Sequence, residues 1–299
     1  MTEPGITAVI PTYRRGAVLL QTIDYLLASE RSPDELLVVD QTEQHDPAVR
    51  ERLSALDGAG GIRWVQLDRP SITHAMNRGL VEARHELVLF LDDDIRPEPT
   101  LVAAHVSAHR DQTDMLVAGR VIQPWEEGIV TGEDDVFRFC NLRSAWISEF
   151  MGGNFSLRRE RALALGGFDE NFVRVAYRFE KEFADRFLAS GGRIRFEPAA
   201  ALHHLKDVDG GTRAFGDHLT TWKPDHAVGA YYYALRRHSN GRWLLDFMAR
   251  LFRSVSTRYH LRHPWSIPAS CIAELRGMLW ALQLAWQGPR LIEPERTDA

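Results

Sequence analysis

The alternation of short apolar runs with helix-like segments over the first 91 residues places the strongest constraint on the fold. Four runs are apolar along nearly their whole length, which is typical of strands that are buried on both faces. Between them, apolar residues recur at helical spacing, as at Leu19, Ile23 and Leu26. The pattern predicts an α/β protein with a mostly parallel central sheet flanked by helices, its first strands at residues 6–10, 36–39, 62–67 and 86–91.

The remainder of the chain changes character twice. Residues 126–150 are irregular and partly acidic, and residues 151–205 combine glycine-rich turns with helical segments and short strands. Residues 225–287 have a helical pattern with breaks near Pro264 and Pro268. We therefore expect one domain built from two halves, followed by a C-terminal helical extension, with boundaries at 1–125, 126–215 and 216–299.

Composition excludes several classes of protein. The net charge of −5 argues against a general nucleic-acid binder. Two cysteines, Cys140 and Cys271, argue against a secreted disulfide framework. The N-terminal residues lack the pattern of a signal peptide, and no apolar stretch is long enough to span a membrane. We therefore expect a cytoplasmic protein, either free or peripheral to the inner face of the membrane.

The C-terminal extension differs in charge from the rest. Residues 231–299 carry a net charge of +5, whereas residues 1–230 carry −10. Its first long segment has an apolar helical face opposite a face with several arginines. Such a helix packs on the protein's own core, forms a homodimer, or contacts a membrane surface. The apolar face comprises Trp243, Leu244, Phe247, Met248, Leu251, Phe252 and Val255.

Three consecutive aspartates follow the fourth apolar run. Adjacent carboxylates repel one another, so a nearby cation would stabilise them. Asp92 and Asp94 point to the same side of an extended backbone and would suit Mg²⁺ or Mn²⁺. Ligands of such sheets bind beyond the carboxyl ends of the strands, where this triplet lies. The alternative is a solvated acidic turn before the helix that follows Pro97.

Polar residues also follow the first two runs. Asp40 ends the second run, where its carboxylate could accept a hydrogen bond from the imide of uracil or thymine, or could be a simple turn residue. The first run ends in Pro11-Thr12-Tyr13-Arg14-Arg15, which is not a glycine-rich phosphate loop. This sequence argues against dinucleotide oxidoreductases, P-loop enzymes and sugar-nucleotide pyrophosphorylases.

Several short motifs occur in a specific order. They are Val9-Ile10-Pro11-Thr12-Tyr13-Arg14-Arg15, Val38-Val39-Asp40, Ala75-Met76-Asn77-Arg78-Gly79, Phe90-Leu91-Asp92-Asp93-Asp94, Gly152-Gly153-Asn154-Phe155, Gly166-Gly167-Phe168-Asp169 and Phe179-Glu180-Lys181-Glu182, up to His204. Each motif is weak alone. Their order over residues 6–213 resembles that of family 2 glycosyltransferases, which have the GT-A fold and bind nucleotide sugars in the first half.

The resemblance implies roles for individual residues. The aspartate that contacts the nucleobase falls on Asp40, and the metal and diphosphate ligands fall on Asp92 and Asp94, with His204 as a further metal ligand. A loop with two glycines would bring Arg213 over the diphosphate. The other residues implied in binding the donor or the acceptor are Pro11, Thr12, Tyr13, Arg15, Arg78, Asp93, Gly152, Gly153 and Asn154.

The residues alone leave alternatives open at several of these positions. Arg78 equally fits an exposed helix face, and Gly152-Gly153 equally fits a tight turn. A lone histidine such as His204 is more often structural, although the neighbouring aspartates favour a ligand. The loop that contains Arg213 fits a plain linker as well as a lid.

The catalytic base is expected on the motif that begins at Phe179. The family usually has Glu-Asp there, and the aspartate position falls on Glu180, preceded by Phe179 instead of glutamate. Glutamate is a competent base with one more methylene of reach. Glu182 and Asp185 are rivals, and on a helix Glu180 and Glu182 diverge by roughly 200°, so both cannot face one site.

The resemblance implies a metal-dependent, inverting transfer of a sugar to an acceptor hydroxyl. Asp40 favours UDP or dTDP as the nucleotide, and the cofactor would be Mn²⁺ or Mg²⁺. The acceptor, whether glycan, lipid-linked sugar or small natural product, is not specified. A catalytically silent nucleotide-sugar-binding module is an alternative, because Phe179-Glu180 departs from the family pattern.

Overall fold

The computed structural model describes residues 3–110, 114–128, 136–238 and 240–293, and only the backbone at 212 and 213. Within these residues, nine strands form one sheet. They are β1 (Ile6–Thr12), β2 (Glu35–Asp40), β3 (Arg63–Gln66), β4 (Leu87–Leu91), β5 (Ile95–Pro97), β6 (Met115–Ile122), β7 (Ala145–Ile147), β8 (Asn154–Arg158) and β9 (Arg193–His204).

Helices cover both faces of this sheet and extend beyond it at the C-terminal side. The helices are α1 (Ala17–Leu27), α2 (Pro47–Gly58), α3 (Ile72–Glu82), α4 (Leu101–Ala108), α5 (Arg159–Ala164), α6 (Phe179–Ala189), α7 (Val228–Arg237), α8 (Trp243–Val255), α9 (Arg258–Arg262) and α10 (Ile267–Gln287). No helix among the described residues is both long enough and apolar enough to cross a bilayer.

The sheet is parallel in its first half and mixed in its second. Its order is β3-β2-β1-β4-β8-β6-β9-β5, with β7 paired to β9. The pairs of β1 with β2, β1 with β4 and β2 with β3 are parallel, as the apolar runs predicted. Strand β8 runs antiparallel to both β4 and β6. The α/β class is therefore confirmed, and the antiparallel strands belong to the second half.

Two apolar clusters hold the helices on the sheet. One packs α1, α2 and α4 against one face, and the other packs α3, α6 and α7 against the opposite face. Strand residues alternate between the clusters, as Ala8 and Val9 do. The second cluster includes Tyr231, Tyr232 and Phe247 of the C-terminal extension. That extension therefore shares a core with the domain.

Candidate active site

The carboxyl ends of β1 and β4 lie side by side because the two strands are parallel neighbours. Residues after β4 therefore meet residues at the end of β1. Strand β9 returns antiparallel to β5, with His204 opposite Ile95, and so brings the histidine beside Asp94. Three segments distant in sequence thus converge at one edge of the sheet.

Asp92, Asp94 and His204 form a cluster at this edge whose candidate ligand atoms all lie within 4.8 Å of one another. His204 Nε2 is 3.1 Å from Asp94 Oδ1 and 3.9 Å from Asp92 Oδ2. The Asp94 side chain is 2% exposed, whereas that of Asp92 is 40% exposed. Two carboxylates and one imidazole suit Mn²⁺ or Mg²⁺. The exposed side of Asp92 leaves room for further oxygen ligands.

The aspartates of the cluster differ in protonation. The protein packed around the Asp92 carboxyl raises its pKa more than any other effect, although part of the side chain is exposed, and the charge of Asp94 adds to this. Burial alone would also raise the pKa of Asp94, but the hydrogen bond and charge of His204, with the charge of Arg15, lower it. Asp94 Oδ2 also accepts a hydrogen bond from the backbone N–H of Asp207, at 2.9 Å. Asp94 is therefore the carboxylate that the protein itself holds ionised.

Asp93 points to the neighbouring strand end instead of to the cluster. It accepts hydrogen bonds from Thr12 Oγ1 at 2.8 Å and from Arg15 Nε at 3.0 Å. Arg15 also donates to Asp94 Oδ2 at 3.2 Å. Burial raises the pKa of Asp93 to about 7. Thr12, Arg15 and Asp93 thus form a buried network that fixes the position of Asp94.

A cavity of about 170 Å³ opens over the cluster. Gly211 closes one side, because its N–H donates to the carbonyl of Tyr13 at 2.8 Å. Two cationic residues that the sequence did not single out, Arg174 and Lys206, also line it. The predicted site residues on its wall are Pro11, Thr12, Tyr13, Arg15, Asp92, Asp93, Asp94 and His204.

Glu180 lies in the first turn of α6, on the far side of two glycines from Asp92. A Cβ on Gly152 would lie 3.2 Å from Glu180 Oε1, and a Cβ on Gly153 would lie 2.0 Å from Asp92 Oδ2. Each carboxylate therefore packs closely against a glycine, where an added methyl group would press on it. Burial raises the pKa of Glu180 to about 7, and the charge of Asp92 contributes. A carboxyl group with such a pKa can accept a proton near neutrality.

Comparison with models of protein families shows which family the chain belongs to. The sequence model described as Glycosyl transferase family 2 matches residues 7–168, more than half of the 299 residues. The chain belongs to glycosyltransferase family 2. The family match includes Asp92 and Asp94, and it ends before Glu180 and His204.

Relatives within this family share limited identity with the chain. The glucosyl-dolichyl phosphate glucuronosyltransferase of Haloferax volcanii is 24% identical over 181 residues, 56% of this chain and 57% of that one. The hyaluronan synthase of Pasteurella multocida is 30% identical over 120 residues, 38% of this chain and 12% of that protein. The chain thus spans little more than half of the first relative and far less of the second.

Solved structures resemble the whole molecule. TarS of S. aureus with UDP-GlcNAc has a TM-score of 0.63 at 15% identity, covering 93% of this chain and 81% of that one. GalNAc-T7 with UDP, GalNAc and Mn²⁺ has a TM-score of 0.63 at 14% identity, covering 94% and 55%. The mannosyltransferase PcManGT of Pyrobaculum calidifontis, with GDP-Man and Mn²⁺, scores 0.58 at 20% identity, covering 96% and 80%. These similarities confirm the GT-A fold of this family 2 chain.

The structure does not bring the carboxylate of Asp40 to the cavity. Its side chain is buried and accepts hydrogen bonds from Trp64 Nε1 at 2.9 Å and from the N–H of Thr42 at 2.9 Å. His45 Nε2 lies 2.5 Å from Asp40 Oδ2. The next residue, Gln41, lines the cavity instead. A contact between Asp40 and a nucleobase would therefore require one of these partners to move.

Arg78 and Asn154 also lie away from the cavity in this family 2 chain. Helix α3 runs back from the carboxyl edge, and Arg78 pairs at 2.5 Å with Glu82, at the other end of that helix. Asn154 is fully buried and donates to the carbonyls of Arg120 and Ala200 at 3.0 and 2.9 Å. Arg78 is thus placed as a surface residue and Asn154 as a core residue. The predicted position of the Arg213 side chain lies outside the described residues.

The two rival bases on α6 are occupied by other partners. Glu182 accepts hydrogen bonds from Nε and a terminal nitrogen of Arg186, both at 2.9 Å. Asp185 accepts a hydrogen bond from Tyr233 Oη at 2.6 Å and forms an ion pair with Lys181. The side chain that faces the aspartate cluster is that of Glu180, whose role the sequence predicted.

Three residues that line the cavity were not predicted from the sequence, and only two of them have a recognisable sequence signal. Gln41 directly follows Asp40 at a strand end, and Lys206 follows His204 by two residues, so both could have been found by position. Arg174 has a left-handed backbone (φ 63°) in a loop between α5 and α6. Its place at the cavity depends on that loop conformation, for which the sequence has no local signal.

Proposed function

We propose that this chain transfers a sugar from a nucleoside diphosphate sugar to an acceptor hydroxyl, with inversion at the anomeric carbon. The single observation that carries the proposal is the position of Glu180 beside Gly152, with Asp92 of the Asp92–Asp94–His204 cluster beside Gly153. Among the described residues, Glu180 has no ion pair within 4.0 Å. A base on one side and a cation site on the other suit a single displacement, in which inversion follows from attack opposite the leaving group.

The residues divide the reaction between them. Glu180 takes the proton of the acceptor hydroxyl while the hydroxyl oxygen bonds to the anomeric carbon. The bond from that carbon to the β-phosphate oxygen breaks, and the nucleoside diphosphate leaves. Asp92, Asp94 and His204 would hold Mn²⁺ or Mg²⁺, which supplies charge to offset that of the diphosphate. Arg174 and Lys206 line the same cavity and add positive charge for phosphate oxygens.

The nucleotide is proposed to carry a base with an imide, as in UDP or dTDP. Gln41 lines the cavity, and an amide can both donate to and accept from an imide. Its Nε2 donates to the carbonyl of Thr12 at 3.3 Å and its Oε1 accepts from the N–H of Ser71, so pairing with a base would exchange one of these bonds. Comparison of UDP, dTDP and GDP binding in the presence of Mn²⁺ tests it. Tighter binding of GDP would contradict this assignment while leaving the reaction type unaffected.

The replacement Glu180→Gln separates an enzyme from a silent binding module. We expect loss of sugar transfer and of donor hydrolysis by at least about 100-fold, because a general base typically contributes that much. Thermal stabilisation by UDP with Mn²⁺ should persist, since a ligand that binds only the folded state raises its stability. Glu160→Gln, in an exposed position of α5, is the matched control.

Two outcomes contradict the proposal. Unchanged donor hydrolysis in Glu180→Gln would move the base role elsewhere. Stabilisation by UDP and Mn²⁺ without turnover of any donor in the unaltered chain would favour the silent module.

We also propose that the outer face of α8 contacts an anionic membrane surface. Leu244, Leu245, Met248 and Phe252 are 54–70% exposed on this face, and Arg242 beside them is exposed. Apolar residues bordered by arginine suit an interfacial helix. In a flotation assay the protein should move to the top of the gradient with phosphatidylglycerol vesicles, and Phe252→Ser should reduce the fraction that floats. A dimer in sedimentation that Phe252→Ser dissociates, without flotation, would assign the face to a second copy.

A further inference from the structure

A second and larger cavity, of about 790 Å³, lies between the start of α6 and the helices α7, α8 and α10. Its walls come from residues 175–274, so they lie outside the range 7–168 that matches the family. The second cavity therefore belongs to the C-terminal part of this chain and is separate from the cavity over the aspartate cluster.

The walls of this second cavity are strongly basic. Six arginine and lysine residues line it against two acidic residues, Asp246 and Glu274, although the whole chain carries a net charge of −5. Both acids are already paired, Glu274 with Arg250 at 3.0 Å and Asp246 with His238 at 3.1 Å. The lining bases without a carboxylate within 4.0 Å, among the residues described, are Arg178, Lys223, Arg237 and Arg253.

Helix α8 turns its polar face toward this cavity. Asp246, Arg250 and Arg253 line it, whereas Met248 and Phe252 are 66% and 70% exposed on the outside. Phe247 of the same helix packs into the core beside Tyr231, so α8 contributes both to the core and to the cavity wall. The charged side chains that α8 adds to the wall suit a polar, solvated ligand.

Tyr231 places a phenol on the wall of this cavity. Its side chain is 1% exposed, and its hydroxyl lies beside the carboxylate of Glu274. Burial, followed by the charge and the hydrogen bond of Glu274, raises the pKa of this phenol, so the hydroxyl keeps its proton. The acidic group nearest to Tyr231 is therefore shared between this phenol and Arg250.

The second cavity adjoins the proposed catalytic base. Arg178 and Lys181 line it and flank Glu180 in the chain. The short segment 174–178 separates the two cavities, because Arg174 faces the donor side and Val175 faces the other. Glu180 itself lies between two residues of the cavity wall, so an acceptor held in the second cavity would be close to the proposed base.

We propose that the second cavity binds the acceptor sugar through an anionic group, a phosphate or a carboxylate, and directs its hydroxyl to Glu180. The inference rests on the proposed glycosyl transfer and adds the chemical class of the acceptor. Charge-assisted hydrogen bonds from arginines account for recognition of such a group. The basic lining raises the local concentration of anionic acceptors.

Binding of small probes to the full chain, saturated with UDP and Mn²⁺ to block the donor cavity, tests this proposal. We expect glucose 6-phosphate or glucuronate to bind at least about tenfold more tightly than methyl glucoside in calorimetry. Comparison of the two anions identifies whether phosphate or carboxylate is recognised. The double variant Lys223→Ala/Arg237→Ala should lose the preference. Arg262→Ala, exposed on α9 and outside the cavity, is the control.

The controls separate this inference from the function on which it rests. UDP affinity, measured on the same samples, reports on folding and on the donor cavity. Equal binding of neutral and anionic probes, or an anion preference that survives in the double variant, would overturn the acceptor class while leaving the donor site intact. Absence of Mn²⁺-dependent UDP binding in the unaltered chain would instead contradict the glycosyltransferase proposal.

Discussion

At the residue scale, two glutamates only two positions apart on α6 have different surroundings. Glu182 is 5% exposed at its side chain and forms an ion pair with Arg186. Glu180 forms no ion pair within 4.0 Å in the part of the chain that the structure describes, and it faces Asp92. Two residues along a helix are separated by roughly 200° of rotation, so the two side chains point in different directions. Glu182 packs inward against Arg186, whereas Glu180 lies beside Gly152.

The raised pKa of Glu180 predicts the pH dependence of transfer. The base must be ionised, and its folded-state pKa is about 7, so the rate should rise as pH increases through 7 and level off above it. Below pH 7 the logarithm of kcat/KM should fall by about one for each pH unit. Release of nucleotide from the donor, measured between pH 5.5 and 9 at roughly constant ionic strength, provides the profile. A flat profile from about pH 5.5 to 8 would exclude Glu180 as the titrating base.

Replacement of Glu182 by glutamine should lower stability and keep turnover, whereas replacement of Glu180 should lower turnover and keep stability. Glu182→Gln leaves the partly buried guanidinium of Arg186 without its carboxylate and removes the pairing with Arg236 at 3.4 Å, so the free energy of unfolding should fall by about 3 kcal/mol. The folded fraction should retain its turnover, because the carboxylate of Glu182 is held in these ion pairs. Urea unfolding and kcat measured on the same preparation distinguish the roles. Loss of kcat at unchanged stability would contradict this assignment.

At the element scale, helix α4 is attached to β8 through two fully buried histidines. His105 lies 2.8 Å from both Ser156 Oγ and Asn154 Oδ1, and His109 lies 2.9 Å from Ser156 Oγ. Since Asn154 uses its amide nitrogen for backbone carbonyls, its oxygen accepts from His105 Nε2–H. The network therefore requires neutral histidines, which explains why Asn154 serves the core instead of the site.

This network predicts a loss of stability in mild acid. Burial lowers the pKa of His105 to about 4 and that of His109 to about 3, whereas unfolded histidine titrates near 6.5. The unfolded chain therefore binds more protons below about pH 6.5, and each histidine costs about 1.4 kcal/mol of stability per pH unit until its folded pKa is reached. Urea unfolding between pH 7 and 4.5 should show this slope. His109→Gln should reduce the slope and the exposed His218→Gln should not; an equal slope in all three chains would contradict the assignment.

The periodicity of α8 illustrates what could be predicted at this scale and what could not. The sequence predicts one apolar face opposite a face with arginines, whereas the structure divides the apolar face. Phe247 packs into the core, and Met248 and Phe252 are exposed. This division depends on α7 and α10, which pack against α8. In β1, β2 and β4 both faces are apolar, so no such choice arises and the strands were predicted within a few residues of their observed ends.

At the scale of the whole molecule, the chain after α10 returns to the loop between α5 and α6, in the second half of the domain. The N–H of Ile292 donates to the carbonyl of Gly166 at 2.7 Å, and the carbonyl of Arg290 accepts from Glu170 at 2.9 Å. Asn171 donates to the carbonyl of Gly288 at 2.7 Å. These contacts hold the loop that leads into α6, so the C-terminal extension supports the position of Glu180.

Removal of this last segment should destabilise the domain. Truncation after Gln287 deletes these three hydrogen bonds and the apolar contact of Ile292 with the core, which together should cost about 3 kcal/mol. Thermal unfolding should occur several degrees lower. Truncation after Glu293 keeps the contacts and is the control. An unchanged Tm after the longer deletion would show that the segment does not support the loop.

Long-range contacts also limit how much of the site a sequence can predict. Asp92 and Asp94 were predictable because a buried strand fixes them at a sheet edge, and His204 because the pattern of motifs extends to it. The side-chain partners of Asp40 are His45, before α2, and Trp64, on β3. No sequence motif near Asp40 predicts these contacts. Residue type and strand position thus predicted the carboxylates of the cluster. That the carboxylate of Asp40 is already hydrogen-bonded inside the protein could be learned only from the structure.

Gly152 and Gly153 carry a consequence for how this site tolerates sequence change. A single methyl group at position 153 would collide with Asp92, and one at 152 would press on Glu180 and Phe179. The distance between Glu180 and Asp92 therefore depends on the absence of a Cβ at positions 152 and 153. Alanine at either position would alter the chemistry without removing any reactive group.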